Sequence, residues 1–515
     1  MNGAESLVRT LAGGGVDVCF ANPGTSEMHF VAALDQVEGI RSVLCLFEGV
    51  VTGAADGYAR MTDKPAATLL HLGPGLANGL ANLHNAKRAR SPIVNIVGEH
   101  ATFHRQYDAP LTSNIEALAG EYSGWLKTSI NSRSVASDGA SAVVAAMTPP
   151  GQIATLILPA DTAWGVGGGI AGVPVPPSRA KVADERIRAA AEVLRPGRRT
   201  LLLLGDRSVR HEGLTLAACI GARTGAGLLA ETSNARMSRG AGRPAIERVP
   251  YLVDAALKTL ADYEHLILVG ARPPVSFFGY PGQPSELQAS GARLHVLADA
   301  SEDQIDALAR LADLVGAPAR YQTPAPAPRL ELPRSGGLDP ASIAQVIGAL
   351  LPENAIVCDE SVTTGRNFFP ATHGSAPHDW LQLTGGSIGL GIPLAIGAAV
   401  ACPDRQVIAL QADGSAMYTV QGLWTQAREN LKVLTCIWSN RSYAILHGEL
   451  AAVGVKSLGR SAVDLLSLDR PAIDWVGLSQ GFGIQACRVE TSEEFARAFR
   501  NGLEANGPCL IEVMI

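Results

Sequence analysis

The stretch QADGSAMYTVQGLWTQARENLKVLTCIWSNRSY, Gln411 to Tyr443, decides the reading of this chain. The apolar run Val407-Ile408-Ala409-Leu410 predicts a buried strand that stops at Asp413-Gly414-Ser415. A helical stretch then leads to a second apolar run, Val433 to Trp438, which ends at Asn440. This is one βαβ unit, and neighbouring parallel strands present their carboxyl ends at the same edge of a sheet, where ligands bind. Asp413 and Asn440, 27 positions apart, therefore converge there. An Asp carboxylate, an Asn amide oxygen and one backbone carbonyl are hard oxygen donors suited to Mg²⁺, which keeps water and phosphate oxygens in its remaining positions. Gly414 and Ser415 leave N–H groups at the start of the following helix, where a diphosphate is favoured. For the pair taken alone, an ordinary Asp-Gly turn and a plain strand-end Asn is the competing explanation.

The spacing adds specificity. Asp413 of Asp-Gly-Ser followed after 26 residues by Asn440, with an apolar run into each, resembles the diphosphate and magnesium motif of thiamine diphosphate enzymes. That resemblance implies Asp413 and Asn440 as side-chain metal ligands, Ser442 as a carbonyl ligand, and Gly414, Ser415 and Tyr443 beside the cofactor. Ala412 stands where the family usually has the first Gly of Gly-Asp-Gly; the carboxylate and the second glycine remain.

The chain has 515 residues, 47% of them hydrophobic, enough for two to four domains with sizeable cores. A net charge of −6 from 42 basic and 48 acidic residues leaves no basic stripe for nucleic acid and no polybasic membrane patch, so the expected partner is a small molecule. Eight scattered cysteines without a CxxC pair read as reduced thiols. The stretch MNGAESLVRT carries Glu5 and no apolar core, so it is not read as a signal peptide. Trp380 to Pro403 is uncharged but broken by glycines, a buried loop and core helix in place of a membrane span. A cytoplasmic protein is expected.

Residues 1–165 repeat strand, polar turn and helix, the pattern of a doubly wound α/β domain. The run Ile40 to Phe47 ends at Glu48, which opens a helix of small residues; a carboxylate there also suits a helix N-terminus. Glu48-Gly49 with Ala54-Ala55-Asp56-Gly57-Tyr58-Ala59 looks like the stretch around the catalytic glutamate of the pyruvate decarboxylase and acetolactate synthase superfamily. In that resemblance Glu48 hydrogen-bonds the aminopyrimidine ring of the cofactor and helps remove the thiazolium proton. Asn22-Pro23-Gly24-Thr25-Ser26-Glu27 and Leu70-His71-Leu72-Gly73-Pro74-Gly75 are most similar to benzoylformate decarboxylase, which implies substrate-facing roles for Thr25 and His71. Ser26 is expected to cap the next helix. The loop His100 to Leu111 reads either as a solvated loop or as an active-site flap, with Gln106 and Asp108 as candidates.

The Gly/Pro-rich stretches Gly165 to Ser178 and Tyr321 to Ser335 bracket a middle Rossmann-like domain, 180–325. Gly270-Ala271-Arg272 is similar to the flavin-contacting turn of acetolactate synthases, but no full GxGxxG is present, so FAD is not favoured. Benzoylformate decarboxylase carries a second pocket histidine in the segment matching Pro273 to Gly282, where this chain has none; Phe277, Phe278 and Tyr280 read either as an apolar pocket wall or as ordinary packing. In the diphosphate domain, 336–515, Ser361, Thr363 and Thr364 follow a strand and suit either diphosphate binding or helix capping. Gly385 to Gly391 supplies a close backbone approach; the resemblance implies Gly386 beside the cofactor and Ile388 as the family's apolar wedge, a plain core isoleucine being the competing reading. The resemblance implies that Ile445, Leu446 and His447 border the substrate pocket, an exposed helix histidine being the competing reading of His447.

The resemblance spans nearly the whole chain. It implies three doubly wound parallel-sheet α/β domains and thiamine diphosphate- and Mg²⁺-dependent decarboxylation of a 2-oxo acid, with carboligation to a second carbonyl as a further outcome. An acetolactate synthase-like carboligase is the alternative, and a non-catalytic nucleotide-binding regulatory protein a distant one. Because Glu48 and Asp413 lie in different domains, the resemblance implies a homodimer or dimer of dimers with the site between subunits.

Overall fold

The computed structural model describes residues 1–322, 330–333 and 336–515; most of the linker expected at 321–335 lies outside them. The repeats read from the sequence build three sheets. The first has spatial order Arg41–Leu44, Val18–Asn22, Ala66–Leu70, Ile93–Glu99, Ile153–Pro159, Trp125–Thr128, all parallel. The second runs Glu247–Arg248, Gly227–Ala230, Thr200–Leu204, His265–Val269, Arg293–Ala298, also parallel. The third runs Gln485–Val489, Cys509–Met514, Val433–Ser439, Val407–Ala412, Ile356–Glu360, His378–Gln382, Met237–Arg239. Its last pairing is antiparallel, with Arg239 opposite His378. That edge strand is contributed by the middle segment and departs from the purely parallel expectation. No local pattern announces it, because its anchor is distant: the Arg239 guanidinium lies 3.2 Å from the Phe369 ring centroid.

A second difference concerns the helical stretch after Asp413. It is broken into one turn, Asp413–Ala416, a 3₁₀ turn, Met417–Thr419, and the helix Gly422–Arg428. The expected diphosphate site therefore has the N–H groups of a single turn and not the dipole of a long helix.

The first and third sheets are joined by two helices. Helix Glu48–Thr62 buries all but its last residue, and it lies against helix Gly391–Ala401. Small residues allow backbone contact. A Cβ added to Gly57 would overlap the Leu394 carbonyl, and one added to Gly397 would overlap that of Ala54. At the far end of helix Glu48–Thr62, buried Arg60 pairs with Asp56 at 2.5 Å. It also donates to the Gln382 carbonyl at 2.7 Å and to Thr384 Oγ1 at 3.0 Å. A buried guanidinium is tolerable only when its N–H groups are met in this way.

The loop that precedes helix Gly391–Ala401 hangs on one carboxylate. Glu360 Oε1 accepts from Gly389 N at 2.8 Å and Leu390 N at 3.2 Å, and Oε2 accepts from Gly391 N at 2.9 Å. Asn82 and Asn85 hold the same loop by donating to the carbonyls of Gly389 and Ser387. Burial pushes the Glu360 carboxyl up from 4.5 to about 7, against the lowering effect of the three N–H donors.

Two outcomes follow. Gly397→Ala should cost about 1–3 kcal/mol in chemical denaturation, whereas Gly13→Ala, which meets nothing within 4 Å, should be neutral to stabilising. Glu360 holds its proton in the folded state where the unfolded chain releases it, so its contribution is fully present below pH 4.5 and is lost as pH rises through about 7. Glu360→Gln should flatten this decline, worth roughly 3 kcal/mol, in denaturation series across that window.

Candidate active site

Three strand ends of the first sheet bring the sequence candidates together. Thr25 opens the 3₁₀ turn Thr25–Glu27, Glu48 opens its helix after Phe47, and His71 is the N-cap of helix Leu72–Ala89. Gly24 lies directly under the His71 ring, where a Cβ would not fit. Gly75 separates His71 from Glu48: a Cβ there would be 3.1 Å from Glu48 Oε1 and 3.3 Å from His71 Cβ. Glu48 is only 7% exposed. Its Oε2 accepts from Asn78 Nδ2 at 3.0 Å, and its Oε1 has no partner among the described residues. Leu72, the residue after His71, has φ +50°. Ser26 does not cap the next helix. Glu27 closes the turn instead, its Oε2 accepting from Gly24 N at 2.7 Å, because its longer side chain reaches back to that N–H.

The edge of the third sheet assembles the other set. Asp413 is 2% exposed, and its two oxygens accept from Gly414 N at 2.8 Å and Arg441 N at 2.7 Å. No cationic side chain pairs with it among the described residues, and burial pushes its carboxyl above the usual range, though the two N–H groups pull it down. Asn440 Oδ1 accepts from Ser442 N at 3.0 Å. Between them Arg441 takes φ +54°, which turns the chain so that both side chains stay at the edge. Gly414 lies against the Tyr443 ring, and Ser415 is buried beside it.

Loop 385–391 adjoins this turn: Thr419 Oγ1 donates to the Gly389 carbonyl at 2.9 Å, and Gly389 lies against Tyr418. Ile388 is half-buried there, and Gly386, at φ +77°, is covered by the Phe277 ring. On the neighbouring strand end, Ser361 Oγ is buried without a partner and Val362 takes φ +48°, a strained value for a β-branched residue.

These features fit a magnesium diphosphate group. A buried carboxylate lacking a cationic partner, a strand-end amide oxygen and an orphaned hydroxyl form the oxygen set that such a group would take. No cluster of three His, Cys, Asp or Glu side chains offers a rival metal site among the described residues.

The pocket-bordering candidates are less enclosed. Ile445, Leu446 and His447 lie on helix Ala444–Ala452, which has no buried residue. Its Glu449 accepts from Tyr280 at 2.6 Å and Tyr251 at 3.2 Å, tying the helix to the middle segment. Loop 100–111 is mostly exposed, including Gln106 and Asp108. No hydrogen bond or ion pair joins the Glu48 and His71 cluster to Asp413, Asn440 or helix Ala444–Ala452 among the described residues. The sequence reading missed the supporting residues Glu27, Asn78 and Glu360. Of these, Glu27 alone had a local signal, its place in the quoted Pro-Gly-Thr-Ser-Glu run.

Comparison with known proteins agrees with this geometry. Residues 1–119 match the family described as thiamine pyrophosphate enzyme, N-terminal TPP binding domain, and residues 364–513 match the corresponding C-terminal TPP binding domain. A Mycobacterium tuberculosis protein named "Putative acetolactate synthase large subunit IlvX" is 54% identical over 100% of this chain and 99% of its own. Benzoylformate decarboxylase of Pseudomonas aeruginosa is 29% identical over 97% of this chain and 96% of its own. Among solved structures, the thiamine diphosphate-dependent 4-hydroxybenzoylformate decarboxylase of Rhodococcus jostii RHA1 superposes with a TM-score of 0.86 at 26% identity, covering 100% of this chain and 99% of that one. With two edges that each suit one end of the same cofactor, and relatives matched along its whole length, this chain belongs to the thiamine pyrophosphate enzymes, in the group of decarboxylases and acetolactate synthases.

Proposed function

We propose that this enzyme uses thiamine diphosphate and Mg²⁺ to decarboxylate a 2-oxo acid to an aldehyde, in the manner of benzoylformate decarboxylase. Its frame is a pyrimidine-binding domain at 1–165, a middle domain at 180–325 and a diphosphate-binding domain at 336–515. The observation that carries the proposal is the cluster of Glu48, His71 and Thr25 around Gly24 and Gly75. It places a buried carboxylate, an imidazole and a hydroxyl at one sheet edge, the groups needed to move protons and hold an oxo acid.

Thiamine diphosphate, when bound, supplies the carbon nucleophile and the electron sink for loss of CO₂. Asp413, Asn440 and the Ser442 carbonyl would hold Mg²⁺, and the turn Gly414-Ser415, with the Ser361 hydroxyl, would meet the diphosphate. Gly386, Ile388 and Tyr443 would pack against the cofactor. Glu48 would keep a proton in exchange with the aminopyrimidine ring through its unpaired Oε1. His71 and Thr25 would hold the substrate carboxylate, and His71 would carry the proton that replaces CO₂. Ile445 and Leu446 would form the apolar wall, with His447 at its rim.

The two halves of the site would come from two copies of the chain, as a homodimer or dimer of dimers. The unlinked clusters within one chain support this, as do apolar side chains left exposed after helix Ala444–Ala452, among them Val453 and Leu465, the latter 78% exposed.

The middle domain would carry no flavin. Its own side chains fill the turn at which a nucleotide phosphate would sit: Gln304 bonds Ser208 N at 3.0 Å and Asp206 at 2.8 Å, and Glu231 occupies the space over Gly205.

Carboligation to a 2-hydroxy ketone, as an acetolactate synthase would perform, is the second reading. It is favoured by the name of the 54% identical relative and by Phe277 lying over Gly386, which leaves His71 as the single histidine among the proposed proton-moving groups.

A panel of pyruvate, longer aliphatic 2-oxo acids and benzoylformate, with thiamine diphosphate and Mg²⁺, separates these. Aldehyde supports the lyase and 2-hydroxy ketone the ligase; no turnover of any would overturn both. Glu48→Gln should lower turnover by at least ~10²-fold with the fold intact by circular dichroism. Asp413→Asn should weaken cofactor binding at fixed Mg²⁺. The purified protein should show no flavin absorbance.

A further inference from the structure

His71 does not stand alone. Its Nδ1 is 2.7 Å from Oε2 of Glu27, a carboxylate only 2% exposed that lies against Gly98. Gly24 lies against the imidazole, and Gly98, on strand Ile93–Glu99, lies against Glu27 Oε1; a Cβ at either place would overlap the side chain. The carboxylate cannot move aside.

Glu27 Oε2 already accepts the Gly24 N–H, and with Glu27 ionised it accepts from His71 as well, which puts the hydrogen on Nδ1. Nε2 is left as the free nitrogen, without a protein partner among the described residues. Oε1 of Glu27 is buried and unpartnered. A buried carboxylate held by one imidazole and one N–H is under-compensated: burial raises the Glu27 carboxyl, against the pull of His71 and the Gly24 N–H. Glu48 lies across Gly75 from His71.

Building on the decarboxylase reading, we propose that Glu27 is the positioning residue of a Glu27–His71 pair that fixes the imidazole tautomer and loads Nε2 with the proton delivered to the substrate carbon. In the balanced step the bond from the oxo carbon to the carboxylate breaks, CO₂ leaves, and that carbon takes the Nε2 proton. Nε2 recovers a proton from water, so the net change is oxo acid plus one proton to aldehyde plus CO₂. Glu27 keeps the Nδ1–H bond throughout and is never the donor.

The test uses Glu27→Gln, which keeps the shape but removes the charge, alongside His71→Gln and the double variant. Ring-¹⁵N-histidine NMR of the cofactor-free protein, with His71 assigned by its loss in His71→Gln, should show an Nδ1-protonated ring in the wild type. In Glu27→Gln that tautomer should give way to a mixture. Turnover of the best 2-oxo acid should fall by about 10²-fold in kcat with KM little changed, and the acidic limb of the pH–rate profile should move. The double variant should be no worse than His71→Gln alone. An unchanged ¹⁵N spectrum in Glu27→Gln, an unmoved pH profile, or losses that multiply in the double variant would each overturn the pairing. The spectrum needs no turnover, so it separates a wrong pairing from a wrong substrate class.

Discussion

Two helices that touch backbone to backbone set the geometry of everything else in this chain. Helix Glu48–Thr62 can lie on helix Gly391–Ala401 because Gly57 and Gly397 each leave room for a carbonyl of the other. Such contact tolerates almost no displacement, since close-packed interiors respond to a single methylene. Glu48 is the first residue of one helix, and the loop carrying Gly386 and Ile388 feeds directly into the other. A fixed crossing therefore fixes the helix that Glu48 opens against the helix that the 385–391 loop leads into. Arg60 locks the same pair from the opposite end by bonding Asp56, Gln382 and Thr384.

The carboxyl edges of the sheets are held open by local strain and by carboxylates used as scaffolding. Leu72, Val362 and Arg441 each take positive φ directly after a strand of the first or third sheet, and each lies beside residues assigned to the site. Such conformations persist when the surroundings over-determine them. Glu27 and Glu360 supply that over-determination at two points, one closing the Gly24 turn under His71, the other gathering the N–H groups of Gly389, Leu390 and Gly391. Neither carboxylate has a cationic Lys or Arg partner among the described residues, and burial pushes both carboxyls above their ordinary range.

Much of this was legible in the chain because strand ends and their polar residues are local. The runs into Asp413, Asn440, Glu48 and His71 gave the strands, their parallel order and the clustering at sheet edges. The long-range features were hidden for a physical reason. The antiparallel strand Met237–Arg239 is held by an aromatic contact 130 residues away, at Phe369. The turn that breaks the helix after Asp413 carries Tyr418, which meets Gly389 of a distant loop, and Glu360 finds the N–H groups of that same loop. Ser26 was assigned the capping role because hydroxyls suit it, but reach decided in favour of Glu27. No periodicity encodes which distant backbone a carboxylate will find.

In the proposed function one cofactor would be gripped by Glu48 of one copy and Asp413 of another. Mixing the inactive variants Glu48→Gln and Asp413→Asn, after dissociation and reassembly, tests that most directly. Subunit exchange should restore about a quarter of wild-type turnover, since half of randomly re-paired dimers are mixed and each has one intact site of two. Turnover that stays at the level of the separate variants, with exchange demonstrated, would place both residues in the same chain's site and contradict the account.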